Sequence, residues 1–277
     1  MKRDFIRLLD YSSKEVLALI DSADKLKKQK GKIRSDLKGK SVALIFQKPS
    51  NRTRVSFNVG VNELGGHPLY LGPSEISLGQ RESTHDVAKT LSRYVHCIVA
   101  RVFNNKDLVE LAKHADVPVI NALCDLYHPC QALADIQTIR EHFGKFKGLT
   151  LAYVGDGNNV FHSLAVACAK VGINVRFAGP KGYDPNPAIL KEILAVAKAN
   201  KVSIEIGRDP KAAVKGAHVI YADVWVSMGQ EAETKQRVKE FEGYQINSSL
   251  TALADKNFKF MHCLPAHRGL EVGQRTC

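Results

Sequence analysis

Two hydrophobic periods alternate along this chain. A helix start is marked by Ser12, Ser13 and Glu15, after which Val16, Leu17, Leu19, Ile20 and Leu26 recur at helical spacing. A continuous apolar run at 42–46 then predicts a strand over 40–46. Val55, Val59, Val61 and Leu64 return to the helical period, which Gly65 and Gly66 close. The pattern continues with a short strand at 69–71, a polar loop at 74–83, a helix at 86–94 and a strand at 97–102 that ends near Arg101. A helix at 106–115, a strand at 117–121 and a long helix at 128–143 follow. Residues 141–148 are charged and carry two glycines, which predicts a boundary between domains at 1–142 and 143–277. Beyond it, strands at 149–154, 174–177, 203–206 and 218–222 alternate with helices at 159–171, 187–200 and 211–215. Two further strands are expected at 244–246 and 260–263. The fold class is therefore α/β: two similar domains, each a parallel sheet flanked by helices, with an active site expected in the cleft between them.

Composition changes this picture little. At 44% hydrophobic and 25% charged, 277 residues can bury a sizeable core. The longest apolar runs are far shorter than a membrane span. The start lacks the apolar centre of a secretory signal, so a cytoplasmic protein is expected. The formal net charge is +12. Its lysines are scattered, and a solvated basic surface around an anion site explains them better than a nucleic-acid face. Six cysteines form no C-x-x-C pair, which fits reduced thiols.

The candidate chemistry lies in the segments after the strands. Ser50, Asn51, Arg52, Thr53 and Arg54 pack two guanidiniums and two hydroxyls into five residues. Planar forks, hydroxyls and the open N–H groups of a helix start grip phosphate. The pentamer by itself also suits a helix capped by Ser50 with solvated arginines. His128 and Gln131, with Pro129 and Cys130 between them, add an imidazole and an amide that polarise a neutral carbonyl. An anion clamp beside carbonyl polarisers suggests transfer of a phosphate-activated group. Gly155, Asp156, Gly157, Asn158 and Asn159 follow a strand and open a helix. Val160 replaces the third glycine of a dinucleotide loop, and the asparagines suit a ligand carboxylate instead. Asp223 and Ser227 either form a turn or meet an ammonium. His262, Cys263, Leu264 and Pro265 end the last strand, as a buried thiol before a proline turn or as a reactive group. A metal held by His262, Cys263 and His267 is disfavoured, because nothing at structural spacing completes the ligand set.

In this order, S-x-R-T-R, H-P-x-Q, G-D-G-N-N, D-x-x-x-S-M-G and H-C-L-P resemble the carbamoyltransferases, and more closely the ornithine carbamoyltransferases. Aspartate carbamoyltransferases share the first two motifs but not the last pair. The resemblance runs from the first helix to about Gly269. It implies a carbamoyl-phosphate domain, then an ornithine domain, a homotrimer, and transfer of a carbamoyl group to ornithine to give citrulline and phosphate. It implies no metal or organic cofactor, no nucleic acid and no membrane partner. By motif match, Ser50, Asn51, Arg52, Thr53 and Arg54 hold the phosphate, while Arg101, His128 and Gln131 complete the carbamoyl-phosphate site. Asn159, Asp223, Ser227 and Met228 hold the α-groups of ornithine. Cys263 and the backbone of Leu264 meet its side-chain amine. The catalytic roles fall to Cys263, Asp223, Arg52, Arg101 and His128. Local charge agrees: residues 223–231 contain acids and no Lys or Arg, which favours a cationic over an anionic amino acid. One charge pair at 4 Å is worth ~4 kcal/mol at an effective dielectric near 20.

The chain departs from the family pattern at two places. Ser77 stands where members usually carry Gln or another polar residue near the phosphate of an adjacent subunit. After Gly269, members continue into a helix whose arginine reaches the substrates, and neither Arg268 nor Arg275 matches it. The second domain is therefore expected to be short. The alternatives are a non-catalytic carbamoyl-phosphate-binding paralogue or truncated subunit, a carbamoyltransferase for another amine such as putrescine or an acylated ornithine, and a nicotinamide dehydrogenase built on residues 155–159.

Overall fold

The computed structural model describes residues 2–29, 31–32, 34–76, 78–79, 81–227 and 231–274. The chain divides into two compact units: Met1–Tyr11 with Asp21–Cys130, and Ser12–Ile20 with Gln131–Cys277. It passes from the first to the second within the first turn of a helix, ahead of the charged segment at 141–148.

Helix α1 (Ser13–Lys27) opens with a capping box. The Ser12 N–H donates to Glu15 Oε2 at 2.8 Å, and the Glu15 N–H donates back to Ser12 Oγ at 3.2 Å. The first unit then follows as β1 (Ser41–Phe46), α2 (Asn51–Glu63), β2 (His67–Leu71), α3 (Pro73–Ile76), α4 (Thr84–Ser92), β3 (Cys97–Arg101), α5 (Asn105–His114) and β4 (Val119–Leu123). Its four strands are all parallel, in the order β2-β1-β3-β4. Val42, Ala43, Leu44, Ile45 and Phe46 are all buried, as a strand covered on both faces requires.

The second unit continues through α6 (Pro129–Phe143), β5 (Thr150–Val154), α7 (Asn159–Val171), β6 (Asn174–Ala178), α8 (Pro187–Ala199), β7 (Ile204–Gly207), α9 (Pro210–Val214), β8 (Val219–Ala222), α10 (Thr234–Glu240), α11 (Ser248–Thr251) and β9 (Lys259–His262). Its five strands are parallel too, in the order β7-β6-β5-β8-β9. Nearly every residue of α7 is buried, so this helix is apolar on all sides rather than on one stripe. Its Phe161 meets Tyr153 edge-on and Phe177 at a tilt, and Tyr153 stacks with Phe177 and Tyr221. Among the described residues, no helix is long and apolar enough to cross a membrane.

Both sheets reverse strand order at one place, between β1 and β3 in the first unit and between β5 and β8 in the second. Ligands of open parallel sheets bind beyond the strand ends at such a switch. Register fixes what lies there. Phe46 pairs with Arg101, and Val154 pairs with Ala222.

Two expectations from sequence fail locally. Residues 244–246 form no strand; Ile246 makes a single bridge to Val272, and its buried side chain packs with Leu250. The segment at 74–83 is not wholly loop, because Ile76 and Leu78 are buried and anchor α3 and a bridge to Glu82. Ser77 lies outside the described residues.

Gly157 illustrates how a glycine motif misleads. Its N–H donates to the Tyr183 carbonyl at 2.9 Å, and a Cβ there would lie 2.3 Å from Pro185 N. The close approach is to the protein's own backbone, not to a pyrophosphate. Gly157→Ala is expected to lower stability by about 2–3 kcal/mol, since backbone must move to admit the methyl. An unchanged urea midpoint would show the contact to be absent.

Candidate active site

In the first unit, Ser50 caps α2, its hydroxyl accepting from the Thr53 N–H at 3.4 Å. Asn51, Arg52 and Arg54 are exposed on the first turn, where open N–H groups favour an anion. Arg54 stacks on Tyr70, its guanidinium carbon 3.7 Å from the ring centroid. Arg101 ends β3, where the pairing register to β4 shifts, and is only 6% exposed. Its Nη1 donates to Thr53 Oγ1 at 3.2 Å. This bond joins the strand-end arginine to the α2 turn. His128 precedes α6 and feels the same cation: burial first, and Arg101 second, push its imidazole down to about 3. It is therefore a neutral hydrogen-bonding group at neutral pH.

Gln131, on the first turn of α6, belongs to the second unit. Its Nε2 donates to Asp135 Oδ1 at 2.9 Å, one helical turn on. The other oxygen of Asp135 accepts from the Tyr221 hydroxyl at 3.0 Å. Asp135 is 4% exposed, and burial raises its carboxyl to about 7 against these two donors. Sequence reading missed Asp135. A polar residue between the apolar positions Ala132, Ile136 and Ile139 on the buried face was the available signal.

The second unit assembles a second cluster where β8 and β9 end. Asp223 is 5% exposed. Its Oδ2 accepts from Asn158 Nδ2 at 2.7 Å, and its Oδ1 accepts from the Val224 N–H at 2.8 Å and from the Cys263 thiol at 2.9 Å. Asn158 serves twice, because its Oδ1 also caps α7 by accepting from the Val160 and Phe161 N–H groups. The motif reading chose Asn159, the first residue of α7. That assignment concerns the ligand; the hydrogen bond to Asp223 comes from the neighbouring Asn158. Burial, then the charge of Asp223, push the Cys263 thiol well above its ordinary range. It therefore acts here as a hydrogen-bond donor, not as a thiolate base. The Leu264 N–H is taken by His262 Nδ1 at 2.8 Å, which leaves the carbonyl of Leu264 as its group able to meet an amine. Ser227 lies four residues past Asp223 in the same loop, whereas Met228 lies outside the described residues.

Arg237 was also missed. It is buried on α10 and grips both flanks of this region: its Nη1 donates to Asp156 Oδ2 at 2.8 Å and to the Trp225 carbonyl at 3.0 Å. Asp223, His262 and Cys263 place one metal-ligand atom each within 4.8 Å of one another. This trio replaces the His267-containing set considered from sequence. Its groups already have partners within the protein: the thiol donates to Asp223, and His262 Nε2 lies 3.3 Å from Glu271.

The family profile described as aspartate/ornithine carbamoyltransferase, carbamoyl-P binding domain, matches residues 3–141. The companion Asp/Orn binding domain profile matches residues 147–276. The ornithine carbamoyltransferase of Oceanobacillus iheyensis is 51% identical over 272 residues, which cover 98% of this chain and 84% of that protein. The anabolic ornithine carbamoyltransferase of Pyrococcus furiosus is 50% identical over 272 residues, with 98% and 86% covered. The solved Pyrococcus furiosus ornithine carbamoyltransferase superposes with a TM-score of 0.95 at 49% identity, covering 99% of this chain and 88% of that one. The anabolic enzyme from Campylobacter jejuni gives 0.94 at 37% identity, with 99% and 89% covered.

The depressed His128 imidazole makes a prediction with a definite sign. A histidine whose folded pKa is lowered contributes stability above its unfolded value, lost as pH falls toward the folded one. Histidine-labelled NMR is expected to show no His128 titration between pH 8 and 5. A midpoint near 6.5 for His128 would contradict the buried, neutral assignment.

Proposed function

The chain belongs to the aspartate/ornithine carbamoyltransferase family, and we propose that it transfers the carbamoyl group of carbamoyl phosphate to the side-chain amine of L-ornithine, giving L-citrulline and phosphate. The observation that carries the acceptor's identity is the buried Asp223 carboxylate. It is aligned with the Cys263 thiol and makes no ion pair among the described residues. A buried anion without a counter-charge favours a cationic ligand and repels an anionic one. Ornithine is therefore the preferred acceptor and aspartate the rejected one.

Each residue then has a role that its chemistry allows. Ser50, Asn51, Arg52, Thr53 and Arg54 bind the phosphate. Arg101, His128 and Gln131 bind the carbamoyl group, and the neutral imidazole polarises its carbonyl by donating its one N–H. Asn159, Asp223, Ser227 and Met228 hold the α-amino and α-carboxylate groups. Cys263 and the Leu264 carbonyl orient the side-chain amine. That amine has an intrinsic pKa near lysine's ~10.4 and must shed one proton before it attacks. The raised Cys263 thiol is not the acceptor. The proton leaves by way of the Asp223 carboxylate to solvent. The neutral amine attacks the carbamoyl carbon, the C–O bond to phosphate breaks, and the second amine proton leaves with hydrogen phosphate. Arg52 and Arg101 stabilise the charge that grows on the leaving group. No step calls for a metal or an organic cofactor. The same reading implies a homotrimer working in the cytoplasm, in the anabolic direction named for its Pyrococcus furiosus and Campylobacter jejuni relatives.

Arg52→Ala is expected to reduce citrulline formation to below about a hundredth of wild type, as loss of a group acting on the leaving phosphate should. A variant that keeps more than about a tenth of the rate would remove Arg52 from the catalytic set.

A further inference from the structure

We propose that Asp135 is a positioning residue that makes Gln131 select for the N–H₂ group of the donor substrate. The proposal rests on the reading of Gln131 as a carbamoyl contact. An amide side chain presents a donor at one end and an acceptor at the other, and nothing in its own shape decides which end faces a ligand. Here the decision is made one turn along α6. Asp135 Oδ1 accepts from Gln131 Nε2 at 2.9 Å, and Oδ2 is held as an acceptor by the Tyr221 hydroxyl at 3.0 Å. Turning the amide over would set Gln131 Oε1 against a carboxylate oxygen, lone pair to lone pair, in a place only 4% exposed at Asp135. The carbonyl of Gln131 is therefore the end left to the ligand, and it can only accept.

A carbamoyl group carries N–H donors, whereas an acetyl group of nearly the same size carries a methyl. A fixed acceptor distinguishes them, because an acyl phosphate without an N–H leaves that acceptor unpaired. The discrimination that Gln131 applies thus originates in Asp135 and Tyr221, neither of which needs to touch the substrate. Tyr221 lies on β8, two residues before Asp223. The same buried carboxylate therefore ties the donor-sensing amide to the strand that carries the acceptor-binding acid.

The test measures the KM for carbamoyl phosphate and the inhibition constant of acetyl phosphate in the citrulline assay. It is run above pH 8, where Asp135 is ionised. Wild type is expected to favour carbamoyl phosphate. Gln131→Ala should shrink that preference about tenfold, Asp135→Ala by a similar factor, and the double variant no further than Gln131→Ala alone. Asp135→Asn, which can still accept from Gln131 and donate to Tyr221, should stay within threefold of wild type. An unchanged preference in Asp135→Ala, or a further drop in the double variant, would overturn the proposal. Should Asp135→Ala not fold, Tyr221→Phe lacks only one hydroxyl and is read the same way: a loss of threefold or more supports the role, and no loss overturns it. If Gln131→Ala itself leaves the preference intact, the fault lies with the Gln131 assignment, and both readings fall together.

Discussion

A carboxylate held out of water, with no ion pair among the described residues, is the constraint around which the second unit is arranged. Taking such a charge from water costs several kcal/mol even after relaxation, so it persists only if its oxygens are fully hydrogen-bonded. Asp223 meets that condition with an amide, a backbone N–H and a thiol. The surroundings follow from it. Asn158 must face inward to reach Asp223, and in doing so it also caps α7. Cys263, Tyr153 and Tyr221 are all held in their protonated forms, by burial first and then by nearby acids. What these donors leave unmet is charge. On the proposed reading, that remainder is what an amine ligand would answer.

Parallel pairing explains why the chemistry collects where it does. In both units the polar groups follow strands that flank the point where strand order reverses. The Phe46–Arg101 pair brings the α2 turn and Arg101 to one edge of the first sheet, and the Thr53–Arg101 bond closes that arrangement. The Val154–Ala222 pair does the same for Asn158 and Asp223 in the second. The first cluster is cationic and surface-facing, suited to phosphate. The second is anionic and buried, suited to an amine. One architecture, used twice, therefore holds opposite charges.

The alternation of buried strands and periodic helices made most elements legible in the sequence, because runs such as residues 42–46 fit only a strand covered on both faces. The short motifs stood out through their order along the chain, since a segment such as residues 50–54 taken alone also suits a capped helix with solvated arginines. Partners within the fold were harder to read. Nothing in a string of residues says that Asn158 rather than Asn159 turns toward Asp223, because the choice depends on which one becomes the cap. Arg237 looks like an ordinary helix-surface residue until tertiary packing buries it, and Asp135, though it falls on an apolar helix face, gives no sign in the sequence of its partners Gln131 and Tyr221. Gly157 looks like a nucleotide glycine until the chain at Asp184 and Pro185 is seen to pass against it. The strand expected at 244–246 shows the same limit in reverse, since a run of three residues can satisfy its core contact through Ile246 without joining a sheet.

The central claim is that buried charge at Asp223 selects the acceptor. Asp223→Asn removes that charge while keeping the shape of the side chain, so the measurement is kcat/KM for L-ornithine in this variant against wild type. The account predicts a loss of at least about a hundredfold, in keeping with one desolvated charge interaction worth ~3–4 kcal/mol. A loss of less than threefold would mean that the carboxylate serves the fold alone and that the acceptor is recognised elsewhere.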